Sequence, residues 1–206
     1  MRGGHGVGDV IAAALAVLFC GINPGLMSET LGLHFARPGN RFWKVLHAAG
    51  FTARLLEPAE QNELLAGGIG ITNLVERSSA AASEIAAAEL RSGAERLEAK
   101  VALWRPAYVA VLGVQAYRIA FGRPKAAIGE QPDRIVGAHL WLLPNPSGLQ
   151  ARYQLSEMTE LYGELRRAAG VGPAPPVPGG TARPVRALVP PGPGRRTSPR
   201  PGPGVS

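Results

Sequence analysis

Cysteine is almost absent from this chain of 206 residues, which contains only Cys20. A single cysteine excludes an intrachain disulfide framework and a four-cysteine zinc or iron–sulfur site. The four histidines, at positions 5, 34, 47 and 139, lack the spacing to acids or to Cys20 that metal sites use. We therefore predict a chain without metal or disulfide, for which a reducing cytoplasm is the simplest location.

The sequence also lacks the common signatures of nucleotide-binding and hydrolytic enzymes. It has no Walker A sequence, no Gly-x-Gly-x-x-Gly between a strand and a helix, and no Gly-x-Ser-x-Gly around Ser147. Its candidate binding loops hold no obvious pair of carboxylates, so a typical acid–base hydrolase is hard to build. We expect no cofactor.

Long hydrophobic runs are missing as well. The N-terminal run from Val10 to Cys20 is too short to span a bilayer. It superficially resembles a signal peptide, but Asp9 interrupts the charged region and no Ala-x-Ala-like cleavage site follows. A short helix that leads into a buried strand fits this run better, and we expect no membrane association.

Acidic residues are missing from the last part of the chain, 171–206, which contains 11 prolines and 7 glycines. Five arginines there supply +5 of the formal net charge of +7. This composition cannot bury enough apolar surface to form a core, so we predict a disordered basic tail after a folded domain at 1–170. Two interpretations of the tail stay open: weak, salt-sensitive attraction to DNA, or no specific role.

The folded part contains an alternation of apolar strands and amphipathic helices. This alternation predicts an α/β fold, a three-layer α/β/α sandwich around a central, mostly parallel four-stranded sheet. Asp9 is the predicted N-cap of a helical turn at 9–15, and residues 23–39 are predicted as a loop. The strands are predicted at 16–22, 69–75, 108–112 and 139–143, and the longer helices at 40–49, 58–65, 86–104, about 113–121 and 155–169.

Two Asn-Pro loops follow buried strands at opposite ends of the domain, at 21–25 and 145–149. Ligands of open parallel sheets bind at the carboxyl ends of strands, so both loops can face one pocket. They offer amide side chains, glycines and apolar residues rather than acids. Such groups suit a flat heterocycle and phosphates that approach the backbone closely.

These loops belong to a wider set of short motifs that carry a family resemblance. Five blocks form this set, at 21–26 (GINPGL), 32–35 (GLHF), 38–44 (PGNRFWK), 70–77 (GITNLVER) and 145–149 (NPSGL). With these blocks in family order, the chain resembles the mismatch-specific uracil-DNA glycosylase / thymine-DNA glycosylase family over about residues 9–169. The resemblance implies an enzyme that removes uracil, and in some members thymine or modified pyrimidines such as ethenocytosine, opposite guanine after base flipping.

The resemblance assigns catalysis and base binding to the first loop and its neighbours. Asn23 matches the catalytic asparagine, which orients a water near the sugar C1′ because an amide cannot deprotonate it. Phe35 matches the aromatic residue on which the flipped base stacks, and backbone N–H groups near Ile22 and Phe35 are candidates for stabilising the departing base anion. The other base-binding residues that it implies are Ser28, His34, Asn73 and Asn145.

The second loop is implied to hold the distorted duplex. Leu149 matches the wedge that fills the gap left by the base, which offsets part of the unstacking cost. Ser147 matches a phosphate contact, and the resemblance implies that Gly148 and Gln150 lie where backbone groups can meet the widowed guanine. Further phosphate contacts are implied for Arg41, Lys44 and Arg152.

The match mixes two branches of the family. Asn73, Glu76-Arg77 and His34 are typical of the thymine-active branch, whereas the second loop, with Asn145 and Gly148-Leu149, is typical of the bacterial uracil-preferring branch. The expected partner is double-stranded DNA with G·U mismatches, with G·T mismatches as the second candidate, and Ser28 can narrow the space near C5. The stretch 78–83 departs from the more polar segment of the family, and its role stays open. We expect a monomer.

Two other functions compete with a glycosylase. The first is a DNA-binding module that keeps the same fold but has lost activity. The second is an unrelated nucleotide-binding α/β protein, which would need a phosphate-cradling glycine loop that the sequence lacks.

Overall fold

The computed structural model of the chain describes residues 6–147 and 152–172. The predicted wedge residue Leu149 and its neighbours Gly148 and Gln150 lie outside the described residues, as does nearly all of the predicted tail, 173–206. Within the described ranges, no helix combines the length and the apolar character needed to cross a membrane.

In the described part of the chain, five strands form one sheet: β1 Val17–Gly21, β2 Ile69–Asn73, β3 Tyr108–Leu112, β4 Gly129–Ile135 and β5 Ala138–Leu143. Their order across the sheet is β2-β1-β3-β5-β4. The first three and β5 are parallel, and β4 runs antiparallel to β5 at one edge. The predicted fold class is confirmed, with one strand more than the four expected.

Helices cover both faces of this sheet. They are α1 Leu26–Leu31, α2 Phe42–Ala48, α3 Ala87–Trp104, α4 Val114–Ala120 and α5 Leu155–Ala168, with 3-10 helices at Pro58–Gly67 and Ala82–Glu84. Along β1, Val17 and Phe19 belong to the core formed with α2 and α5, whereas Leu18 and Cys20 belong to the core formed with α3 and α4. Because both faces of β1 are covered, this strand is apolar throughout.

The strand absent from the prediction is β4. Its sequence carries no apolar alternation, because only Ile135 is fully buried and most of its other side chains are exposed. It contains Pro132, and its pairing with β5 is irregular between Glu130 and Arg134. Proline and a bulge are typical of edge strands, which need only one partner and need not be hydrophobic.

The helical turn predicted at 9–15 is wrong. Val10 instead pairs with Ile71 of β2, with N–H···O distances of 2.9 and 2.8 Å. The Asp9 carboxylate forms an ion pair with Lys100 at 2.6 Å, so it does not cap a helix. Pairing with the open edge of β2 thus outweighs the helix propensity of the three alanines that follow.

The prediction of a continuous loop at 23–39 is also wrong, because α1 lies within it. Leu26, Met27 and Leu31 of this helix are exposed, so no buried face marks it in the sequence. The helix predicted at 58–65 is a 3-10 helix. All other predicted elements begin and end within two residues of the observed bounds.

We expect Gly93→Ala and Gly163→Ala to change stability in opposite directions. A Cβ at Gly93 would lie 2.6 Å from the Leu74 carbonyl oxygen, so α3 would have to move, at a cost of about 1–3 kcal/mol. A Cβ at Gly163 would meet only the flexible Arg167 side chain, at 3.4 Å, so the lower chain entropy of alanine should stabilise by about 0.4–1 kcal/mol. Urea denaturation measures both free energies of unfolding, and equal changes would contradict the close approach of α3 to Leu74.

Candidate active site

A cavity of about 730 Å³ opens at the carboxyl end of the sheet, where β1 and β2 end side by side. Both Asn-Pro loops reach it, the first after β1 and the second after β5. The prediction that they face one pocket agrees with this geometry. Of the predicted site residues that the structure describes, eight line the cavity: Ile22, Asn23, Ser28, His34, Phe35, Asn73, Asn145 and Ser147.

Neighbouring groups hold the side-chain amide of Asn23 in one orientation. Its Nδ2 donates to Ser79 Oγ at 2.8 Å, to the Pro24 carbonyl at 3.0 Å and to the Arg77 carbonyl at 3.3 Å. Ser79 Oγ donates its own proton to the Ala81 carbonyl at 2.7 Å, so it accepts from Asn23. Asn23 Oδ1 has no donor in the described part of the chain and is therefore the acceptor that this residue offers to the cavity.

Ser79 is a site residue that the sequence analysis missed. Its backbone N–H donates to the Pro24 carbonyl at 3.2 Å, and the hydroxyl of the preceding Ser78 donates to Glu29 on α1. Ser79, within the stretch 78–83 whose role the sequence left open, thus braces the Asn23 loop. No sequence signal marks Ser79, because a serine among small loop residues has many other uses.

Phe35 presents one face of its ring to the cavity. Its backbone is left-handed, with a φ of 53°, a conformation that costs a non-glycine residue about 1–3 kcal/mol. The ring stacks on Phe42, with centroids 4.1 Å apart and planes 24° apart. Phe42 is fully buried and packs edge-on against Phe19 and Trp43. The core therefore supports Phe35 from behind and fixes it as a platform.

His34 is 2 % exposed and is held from three directions. Its backbone N–H donates to Gln61 Oε1 at 2.8 Å, its Nε2 lies 3.0 Å from the Gly8 carbonyl, and its Nδ1 lies 3.4 Å from Asn73 Nδ2. Burial lowers the pKa of His34 below its ordinary value, against the opposing effect of the Gly8 hydrogen bond. The ring is therefore neutral at neutral pH. No sequence motif predicts the contacts of His34 with Gly8 and Gln61.

Ser28 lies on α1 and is 5 % exposed. Its Oγ accepts the N–H of Ala36 at 3.2 Å, and its carbonyl accepts the N–H of Leu33 at 3.0 Å. Both bonds hold the turn that carries Phe35. Ser28 thus lines the cavity and shapes its platform, while its predicted contact with C5 of the base stays a prediction.

The described part of the second loop, 145–147, forms a turn that Arg41 braces. Asn145 Oδ1 accepts the N–H of Ser147 at 2.9 Å, as in an Asx turn. Arg41 donates from its backbone to the Pro146 carbonyl at 3.0 Å, and from its guanidinium to the carbonyls of Ser147 at 3.2 Å and Tyr153 at 2.6 Å. Arg41 therefore serves the loop itself, and its predicted phosphate contact stays a prediction.

Lys44 and Arg152 are exposed and do not line the cavity. Lys44 lies on α2, and the Arg152 guanidinium lies over the Tyr153 ring, 5.6 Å from its centroid. Besides Ser79, three polar residues that were not predicted line the cavity: Thr30, Arg37 and Asn40. Basic side chains thus lie both at the cavity and on the surface outside it.

The chemistry of the lining is that of amides, hydroxyls and backbone groups. Among the described residues, the lining holds no carboxylate and no cysteine, and no cluster of His, Cys, Asp and Glu could hold a metal ion. His34 already uses both ring nitrogens. Such a site can orient a water molecule and a flat heterocycle, but it offers no side chain ready to take a proton from water.

The family model of the Uracil DNA glycosylase superfamily matches residues 9–166. The chain therefore belongs to the uracil DNA glycosylase superfamily. Its fold is similar to the solution NMR structure of a candidate uracil DNA glycosylase from Methanosarcina acetivorans, with a TM-score of 0.54 and 19% sequence identity over 79% of this chain and 98% of that chain. At this identity the likeness shows the fold, while the family supports a hydrolytic DNA glycosylase that acts on DNA.

Proposed function

We propose that the chain hydrolyses the N-glycosidic bond of uracil mispaired with guanine in double-stranded DNA, and so initiates base-excision repair. The observation that carries this proposal is the fixed amide of Asn23, which offers only its Oδ1 to a cavity without carboxylates. Thymine opposite guanine and modified pyrimidines such as ethenocytosine are the further substrates. Mispaired bases favour such an enzyme because they cost less to flip than paired ones.

The proposed reaction depends on orientation rather than on proton abstraction. Asn23 Oδ1 accepts a hydrogen bond from a water and turns a lone pair of that water towards C1′. Because no group is ready to deprotonate the water, the bond to the base breaks early, and the base leaves as an anion. The water then adds to C1′, and the proton that it loses passes to solvent or to the base anion. The backbone N–H groups of Ile22 and Phe35 have no acceptor among the described residues, so they are available to stabilise that charge.

The platform of Phe35 supports a flipped base in this proposal. Its rear face is occupied by Phe42, so a base can stack only on the face that lines the cavity. Stacking on an aromatic ring contributes about 1–3 kcal/mol to the binding of an unpaired base. A platform fixed before binding loses little further entropy when the base arrives.

The second loop is proposed to bind the distorted duplex. Ser147 lines the cavity, which supports the proposal that this loop contacts the flipped nucleotide. Leu149 follows two residues later in the sequence and is the proposed wedge, with Gly148 and Gln150 beside the widowed guanine. The proposed phosphate contacts are Ser147, Arg41, Lys44 and Arg152.

Asn23→Ala and Asn23→Asp should both lose about a hundredfold or more in single-turnover release of uracil from a G·U duplex. Alanine removes the acceptor, while aspartate removes the donor and sets a carboxylate against the carbonyls of Pro24 and Arg77. If aspartate retained or raised the rate, Asn23 would act at a position suited to a general base, which contradicts the orienting role. Thermal unfolding of each variant checks the fold.

Ser79→Ala should slow uracil release about tenfold, because the Asn23 amide loses the acceptor that fixes it. Ser78→Ala is the matched control, since the hydroxyl of Ser78 bonds to Glu29 and not to Asn23. The same single-turnover assay compares the two variants with the parent chain. Equal rates for the two would mean that Ser79 does not act through Asn23.

Base release from duplexes with uracil, thymine or ethenocytosine opposite guanine tests the substrate range directly. We expect release to be fastest for uracil opposite guanine, and much slower for uracil in single-stranded DNA, which has no opposing guanine. Salt-dependent binding of the G·U duplex without release over hours would replace the proposed enzyme by a DNA-binding module on the same fold.

A further inference from the structure

The N-terminal stretch, residues 6–10, lies along the open edge of β2 and reaches the cavity wall through the Gly8 carbonyl. We propose that this stretch helps to select the base: the Gly8 carbonyl, acting through His34, decides which end of the Asn73 amide faces the flipped base. The inference rests on the proposed function, because it concerns the base that the cavity receives. In it, Gly8, His34 and Gly21 are positioning residues, and Asn73 contacts the base.

The Gly8 carbonyl fixes the position of the proton on the His34 ring. A carbonyl oxygen can only accept, so the proton of the neutral ring lies on Nε2, 3.0 Å from that oxygen. His34 Nδ1 is then a bare acceptor. It can face only the donor end of the Asn73 amide, and Asn73 Nδ2 lies 3.4 Å from it. The Gly8 carbonyl thus determines, through His34, which end of the Asn73 amide faces the His34 ring.

The acceptor end of the Asn73 amide lies against Gly21. A Cβ at Gly21 would be 2.4 Å from Asn73 Oδ1, so only glycine leaves room for the amide in this position. No described residue donates to this oxygen, and both residues line the cavity. An acceptor here matches the N3–H donor of uracil or thymine. N3 of cytosine is itself an acceptor, so it cannot form a hydrogen bond with Oδ1 and is repelled by it.

An ion pair holds the Gly8 carbonyl in place. Lys100 of α3 lies 2.6 Å from the Asp9 carboxylate and 3.0 Å from Thr72 Oγ1, and Thr72 donates to Asp9 at 2.7 Å. Thr72 is fully buried and directly precedes Asn73. Gly8 and Asn73 are therefore anchored next to each other, by one cluster of three side chains.

Protonation of His34 reverses the polarity of this chain of contacts. The imidazolium ring carries a proton on Nδ1, which would face the donor end of Asn73, so the amide turns over and presents Nδ2 to the base. Two charged groups act on His34 from the neighbouring elements, Asp9 favouring the imidazolium and Lys100 opposing it. The effect of burial is larger than both and lowers the pKa of His34, so we expect the amide of Asn73 to turn over only in acidic solution.

The test is the ratio of affinities for two duplexes that cannot be cleaved. They carry 2′-fluoroarabino-uridine or 2′-fluoroarabino-cytidine opposite an abasic site, so that neither base is paired. For the full chain, we expect the preference for uridine to fall at least about tenfold from neutral pH to the lowest pH at which the protein stays folded. His34→Gln should abolish this pH dependence, because glutamine does not titrate.

His47→Gln is the matched control. His47 also bonds to a backbone carbonyl, that of Thr52 at 3.1 Å, but it does not line the cavity, so this variant should keep the parent pH profile. A His34→Gln protein with the parent ratio and the parent pH profile would overturn the inference. So would a parent chain whose ratio does not change with pH.

Gly21→Ala keeps the inference testable if His34→Gln fails to fold. The added Cβ displaces Asn73 Oδ1 without adding a titrating group, so the preference for uridine should fall about tenfold at every pH. An unchanged preference would contradict the assigned orientation of Asn73. Release of uracil from a G·U duplex by the parent chain is measured alongside: its absence refutes the proposed function, while release with unchanged ratios in the variants refutes only this inference.

Discussion

The parallel pairing of β1 with β2 is the constraint on which the rest of the site depends. It sets Gly21 opposite Asn73, so that the first loop and the stretch after β2 leave the sheet side by side. The ladder continues beyond both strands, where the Val75 N–H donates to the Ile22 carbonyl at 2.9 Å. A slip of one residue would turn every side chain of β2 to the opposite face and separate Asn73 from His34.

The site is built from amides, and each amide is oriented by its surroundings. An amide side chain is a donor at one end and an acceptor at the other, so its use requires that one end be chosen. Ser79 and two carbonyls occupy the donor end of Asn23, His34 occupies that of Asn73, and a backbone N–H occupies the acceptor end of Asn145. The ends that remain give the cavity its hydrogen-bonding character, which is therefore a property of tertiary structure.

Much of the fold followed from the sequence, because the buried strands are apolar on both faces and the longer helices have one apolar face. The strand β4 and the helix α1 were not predicted, because an exposed edge strand and a helix with exposed leucines have no hydrophobic periodicity. At the site, short motifs marked Asn23 and Phe35 before the structure placed them at the cavity. Ser79 and Gly8 could not be found in this way, because their contacts span 56 and 26 residues of sequence.

The left-handed backbone of Phe35 makes the free energy of folding less favourable rather than that of base binding. This conformational strain is introduced once, when the chain folds and Phe42 packs behind the ring. In the proposed function, a flipped base then stacks on a ring that the folded chain already holds in place. That function would couple folding stability to base binding at this residue: a change that relaxes the backbone of Phe35 would stabilise the folded chain and weaken the binding of the base.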